Sequence, residues 1–126
     1  MAAALVLAGP VFGQDLECDN PQTQSEMTQC ARQDWQEADD ALNDMYQSAL
    51  ALIEETDAIV GAEDRGAEDA LKDAQRLWVK YRDAACLAEA YAYAGGSIQP
   101  MIEWNCMARL TWARVEDLTI LTDQGN

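Results

Sequence analysis

The chain has 126 residues, room for one hydrophobic core and too few for two. It contains no histidine, so the commonest general base and the commonest metal ligand are both missing. With 23 acidic against 8 basic residues its net charge is −15, which repels phosphate and makes nucleic acid and anionic membrane surfaces poor partners.

Residues Met1 to Gly13 carry no charge, and Ala2 to Ala8 is an apolar run. Val11 and Gly13 stand where a signal peptidase takes small residues, so residues 1–13 are predicted to be a signal peptide and 14–126 a single domain. No Lys or Arg precedes the run, which reads as a leader truncated at its start. The run is too short for a stable membrane span, and no cysteine follows the cleavage point to take a lipid. Export to the bacterial periplasm or beyond makes the four cysteines, Cys18, Cys30, Cys86 and Cys106, candidates for two disulfides. No pair has the close spacing of a metal or redox site.

Gln14 to Gln22 reads as an extended lead-in. Thr23 and Glu26 then have the form of a capping box. A helix is predicted over about 24–56, its inward face made by Met27, Cys30, Ala31, Ala38, Leu42, Met45, Ala49, Leu52 and Ile53. An acidic connector with Gly61 and Gly66 leads to a second helix over about 64–93. Its predicted stripe is Ala67, Leu71, Ala74, Trp78, Tyr81, Ala85 and Ala88. Leu42, Trp78 and Tyr81 are expected to be largely buried. Gly95 and Gly96 end the second helix, and Ser97 is the expected cap of a third that runs to about Leu121. The third helix is expected to turn Ile102, Cys106, Leu110, Ala113, Val115 and Leu118 inward.

No stretch alternates with the two-residue period of a strand, so the fold class is all-α, a small disulfide-stapled bundle of about three helices going up, down and up. This topology puts all four cysteines at one end, where proximity does not choose among the three possible pairings. Sequence separation favours Cys18–Cys30 and Cys86–Cys106, each adding about 3 kcal/mol in the chain-entropy model.

The acidic clusters read as solvated helix faces and loops. No serine lies in a nucleophile setting, no glycine loop suits a phosphate, and no segment has the pattern of a calcium loop. The residues therefore point to a binding protein rather than an enzyme, with no cofactor and no metal. A cationic protein is the partner that the charge favours. Three polar residues interrupt apolar stripes: Asn43, Arg82 and Arg114. They would either line a binding pocket or tie helices together, and the second reading is favoured because a buried polar group must be satisfied whether or not it acts.

Cys18, Thr23, Glu26-Met27, Cys30, Leu42-Asn43 and Tyr46 together resemble the first half of the LprI-type lysozyme-inhibitor family. Gln75, Trp78, Tyr81-Arg82-Asp83 and Cys86 are similar to its central block, and Gly96-Ser97, Cys106, Thr111, Arg114 and Leu118 to its closing segment. The resemblance implies a secreted or periplasmic helical domain with the same two disulfide pairings, and inhibition of lysozyme. For an inhibitor, the turn of Gly96, Ser97, Ile98 and Gln99 is the candidate partner-binding element, offering neutral hydrogen-bond groups to a cleft that holds carboxylates. The plainer reading of this turn is a helix connection. Two rival functions are an envelope scaffold or stress-related interaction protein with a non-lysozyme partner, and a glycan hydrolase using a carboxylate pair.

Overall fold

The computed structural model describes residues 16–123, so the leader expected over residues 1–13 lies outside the described residues. Three helices follow in order, α1 (Gln24–Ile59), α2 (Ala67–Tyr91) and α3 (Gln99–Asp123), with one 3-10 turn at Ala62–Asp64. No strand occurs among the described residues. The all-α class is as the periodicity predicts.

The start of α1 follows from its side chains. The Thr23 hydroxyl accepts the Glu26 N–H at 3.1 Å, satisfying an amide that the first turn leaves without a partner. The Glu26 carboxylate accepts from the Gln22 N–H at 2.6 Å, one residue earlier than in a capping box. The buried residues of α1 are Ala31, Ala38, Leu42 and Ala49, all from its predicted stripe. Small side chains at three of these four positions let a neighbouring helix approach closely. That neighbour is α3, which shares its largest contact with α1 and buries Ala108, Thr111 and Leu118.

The helix directions are read from paired positions. Gln24 reaches Met101, and Asp34 accepts from the Trp112 indole at 3.2 Å, so α1 and α3 run parallel. Arg82 pairs with Thr111 and Gln75 with Arg114, so α2 runs back between them in sequence. The core has two parts. One is aliphatic, with Leu42, Ala49, Leu71 and Leu118 at its centre and Tyr46 and Trp78 packed against it. The other is built on Cys86, Cys106 and Met107, with Trp35 and Trp104 against them.

Several expectations need correction. α2 starts three residues later than predicted, because Gly66 adopts φ 133°, a conformation that interrupts any helix. Gly66 supplies no capping side chain, and Asp57 of α1 takes that role. Its carboxylate accepts the Ala67 and Glu68 N–H groups at 3.3 and 3.0 Å. The Glu68 N–H is the main reason that the Asp57 pKa lies below its ordinary value, with burial acting in the opposite direction.

Tyr81 is 64% exposed rather than buried, and Ala74 and Ala88 are also exposed. The buried residues of α2 are Leu71, Arg82, Cys86 and Ala90. Two stripes lie side by side on this helix, one position and about 100° apart, and the predicted stripe mixed them. Trp78 is half-buried, as is Tyr46, while Leu42 is only 3% exposed. Ala113 on α3 is exposed, contrary to its predicted inward position. Ser97 does not cap α3. The Gly96 carbonyl already accepts the Gln99 N–H at 3.2 Å, which places Ser97 inside a tight turn, and the Ile98 carbonyl accepts the first helical bond from Ile102.

Candidate functional site

The cysteines pair as Cys18–Cys30 and Cys86–Cys106, with Cα separations of 5.5 and 5.4 Å. The first ties the lead-in to α1, and the second locks α2 to α3 beside the turn that joins them. Cys86 and Cys106 are buried at the centre of their cluster.

Arg82 projects from α2 into the junction of the two cores and is 7% exposed. Its Nε donates to Asp83 at 3.0 Å, its Nη1 donates to the Thr111 hydroxyl at 3.4 Å, and Asp39 of α1 lies 3.7 Å away. Its guanidinium also stands over the rings of Trp78 and Trp35, at 5.2 and 5.9 Å. A planar cation suits this place because its faces stack on rings while its edge keeps its hydrogen bonds. Arg114 of α3 donates to the Gln75 side chain at 2.9 Å and covers Trp78 from 5.9 Å. Burial lowers the Arg114 pKa, while Asp117 acts in the opposite direction. Arg82 thus touches all three helices, and Arg114 bridges two. Asn43 differs from both: it is exposed on α1, and its side chain makes no hydrogen bond to the described residues.

The α2–α3 turn is ordered by its own backbone. Successive three-residue bonds run through Tyr93, Ala94 and Gly96, and Gly95 takes φ 83°. The Gly95 N–H donates to the Gln99 side-chain oxygen at 3.3 Å. A Cβ at Gly96 would stand 3.2 Å from the Tyr93 carbonyl, so a larger residue would crowd the turn. Gly96 and Ser97 are exposed, and Ile98 and Gln99 are half-buried. The turn therefore presents Gly96 and Ser97 outward, while Gln99 holds the backbone behind them. Tyr91 and Tyr93 flank it, both exposed.

A cleft of about 490 Å³ lies on the same half of the bundle. It is lined by Trp35, Trp104, Asp83, Glu103, Leu87 and Met107, with Arg82 at its base. The two indoles are 5.0 Å apart and tilted by 38°, and the Arg32 guanidinium stands 5.5 Å over Trp104. The Trp35 N–H is buried without a hydrogen-bond partner among the described residues. The sequence reading missed Trp35, Trp104 and Glu103. A signal existed for Trp35, which stands four residues after Ala31 and three before Ala38, on the stripe that α1 buries. Nothing comparable marks Glu103, which only the packing of α3 brings to the cleft.

The cleft offers aromatic faces, two carboxylates and a cation already committed to internal bonds. Charge is spread unevenly over the helices. α1 carries nine acidic residues against one basic, net −8; α2 five against four, net −1; and α3 four against two, net −2. No group of three or more potential metal ligands converges among the described residues, and none of their helices is long and apolar enough to cross a membrane.

Comparison with known proteins points in one direction. A family model described as lysozyme inhibitor LprI matches residues 18–118. An uncharacterized protein of Rhizobium meliloti (strain 1021) is 37% identical over 112 residues, covering 86% of this chain and 81% of the relative. No solved structure matches the chain.

Proposed function

The chain belongs to the lysozyme inhibitor LprI family, and on that premise we propose that it is an exported acidic protein that docks on a basic lysozyme and blocks its cleft. The family match over nearly the whole described domain is the observation that carries this reading. The two disulfides fit an oxidising compartment, the periplasm or the exterior.

The charge distribution supports a mechanism. The net −8 of α1 attracts a cationic surface and speeds encounter at low salt. Exposed charges are screened and individually weak, so a tight complex also needs a shape that enters or covers the cleft. The turn Gly96-Ser97-Ile98-Gln99 is our candidate for that shape. It is held by the Cys86–Cys106 bridge and by its own hydrogen bonds, so little order remains to be imposed on binding. Ser97 presents a neutral hydroxyl that lysozyme carboxylates do not repel.

The deciding experiment is lysozyme activity on cell walls with and without the purified oxidised chain. Inhibition that rises with the dose supports the proposal. Undiminished activity with the chain in molar excess would contradict it and favour the scaffold reading, in which periplasmic extract yields another partner. Replacing Ser97, Ile98 and Gln99 together should weaken inhibition while leaving helicity intact. A triple variant that inhibits like the parent would move the docking surface to α1.

A further inference from the structure

The outward face of α2 carries an apolar stripe that has no partner within the described residues. Starting at Ala70, its members are reached by steps of four, three, four, three, four and three residues, ending at Tyr91, and all are exposed. Its large members, Leu77, Tyr81 and Tyr91, are each more than 60% exposed. The alternation of three and four, kept over three heptads, is the seam of a coiled coil, and a second helix is the shape that it fits. The charged residues Lys72, Arg76 and Asp83 fall on the opposite flank by helical period.

Two observations say which helix. The first is charge. Two copies of a chain at −15 repel each other over most of their surface, and α1 at −8 repels most. α2, at −1, is the helix where a second copy meets least repulsion, whereas its uncharged stripe gives a cationic partner nothing to pair with. The second is side-chain size. When two such stripes are set antiparallel about Tyr81, Leu77 faces Ala84, Ala74 faces Ala88, Ala70 faces Tyr91, and Tyr81 meets its own mate. Away from the axis each large residue then faces a small one, and the Ala74–Ala88 layers let the two helices approach closely. A parallel pairing would instead set Leu77 on Leu77 and Tyr91 on Tyr91, large against large away from any axis. Lys80 meets its mate at the rim, where a long side chain can swing into water.

We propose that the chain forms a two-fold dimer through this face of α2, antiparallel, with Tyr81 on the axis. Such an interface is self-complementary, as closed two-fold symmetry requires. It does not depend on lysozyme binding, and it leaves the acidic α1 and the α2–α3 turn outside the seam.

Sedimentation velocity of the oxidised chain over a concentration series tests it, with no lysozyme present. A species of twice the chain mass is expected. Tyr81→Glu sets two like charges on the axis and should weaken the dimer about 100-fold while circular dichroism stays unchanged, since Tyr81 is exposed. Glu37→Gln on α1 should leave the dimer as it was. Mild oxidation of a folded Tyr81→Cys variant should link two chains to each other. A chain that stays monomeric throughout, a dimer indifferent to Tyr81→Glu, or a Tyr81→Cys variant that does not cross-link would each overturn the proposal. A monomer whose lysozyme inhibition is lost on Leu77→Glu would give this face to another protein instead, and would overturn it too.

Discussion

Neighbouring residues of α2 have opposite surroundings. Leu71 is 5% exposed while Ala70 faces solvent; Arg82 is 7% exposed and Tyr81 64%; Cys86 is fully buried and Leu87 45% exposed. Each step of one residue turns the side chain by about 100°, so a single helix can carry two stripes side by side. Hydrophobicity does not choose the inner one, since Tyr81 is more apolar than Arg82. The choice follows from partners. A guanidinium at position 82 finds the Thr111 hydroxyl, the Asp39 and Asp83 carboxylates and two indole faces, and the Cys86 sulfur finds Cys106. The inward face is fixed by specific bonds as much as by oil, and the outward face keeps its apolar seam available.

The contrast can be broken most severely at Cys86. Cys86→Ser removes a buried bridge that closes a 20-residue separation, and should cost about 3 kcal/mol or more in chemical denaturation, whereas Leu87→Ser should stay within about 0.5 kcal/mol. Leu71→Ala should cost about 3 kcal/mol by leaving a cavity in the aliphatic cluster, while Leu77→Ala should move the midpoint little. Arg82→Ala should cost about 2 kcal/mol, less than a fully buried pair, because Asp39 and Asp83 keep access to water. At chain concentrations low enough to keep the protein monomeric, Tyr81→Ala should leave thermal stability near that of the parent. If Arg82→Ala left stability untouched and removed only a binding activity, the structural assignment of Arg82 would fail.

The smallest effect is expected where both faces of α2 begin. Asp57 accepts two amides of its first turn, and its pKa is lowered in the folded state. A lowered carboxylate pKa gives stability that is present above the unfolded value of 3.8 and is lost as pH falls through the folded value. Thermal melts of the parent and of Asp57→Ala should therefore differ at neutral pH and converge in strong acid. A gap that persisted in strong acid would show that the ionised carboxylate is not the cause.

Much of this architecture is legible in the sequence, and the gaps have physical causes. Thr23 and Glu26 mark the start of α1 because capping is local chemistry. The pairing Cys18–Cys30 and Cys86–Cys106 is the one that short separations favour and that the family resemblance implies. Leu42 and Ala38 follow from a single clean stripe. On α2 the stripe is double, and only tertiary contacts separate Tyr81 from Arg82. Ser97 has the identity of a cap, but the backbone bond from Gln99 to Gly96 makes its segment a turn. Asn43 shares a motif with Leu42 yet points to solvent. The cleft was the least legible, since Trp35, Asp83 and Glu103 come from three helices and meet only when these pack.

If the acidic α1 draws this chain to a basic lysozyme, the association rate of the two purified proteins must depend on salt concentration. Association should slow steeply from low to physiological salt while dissociation changes little. A rate independent of salt would rule out steering by α1, and the absence of any complex at low salt would rule out lysozyme capture itself.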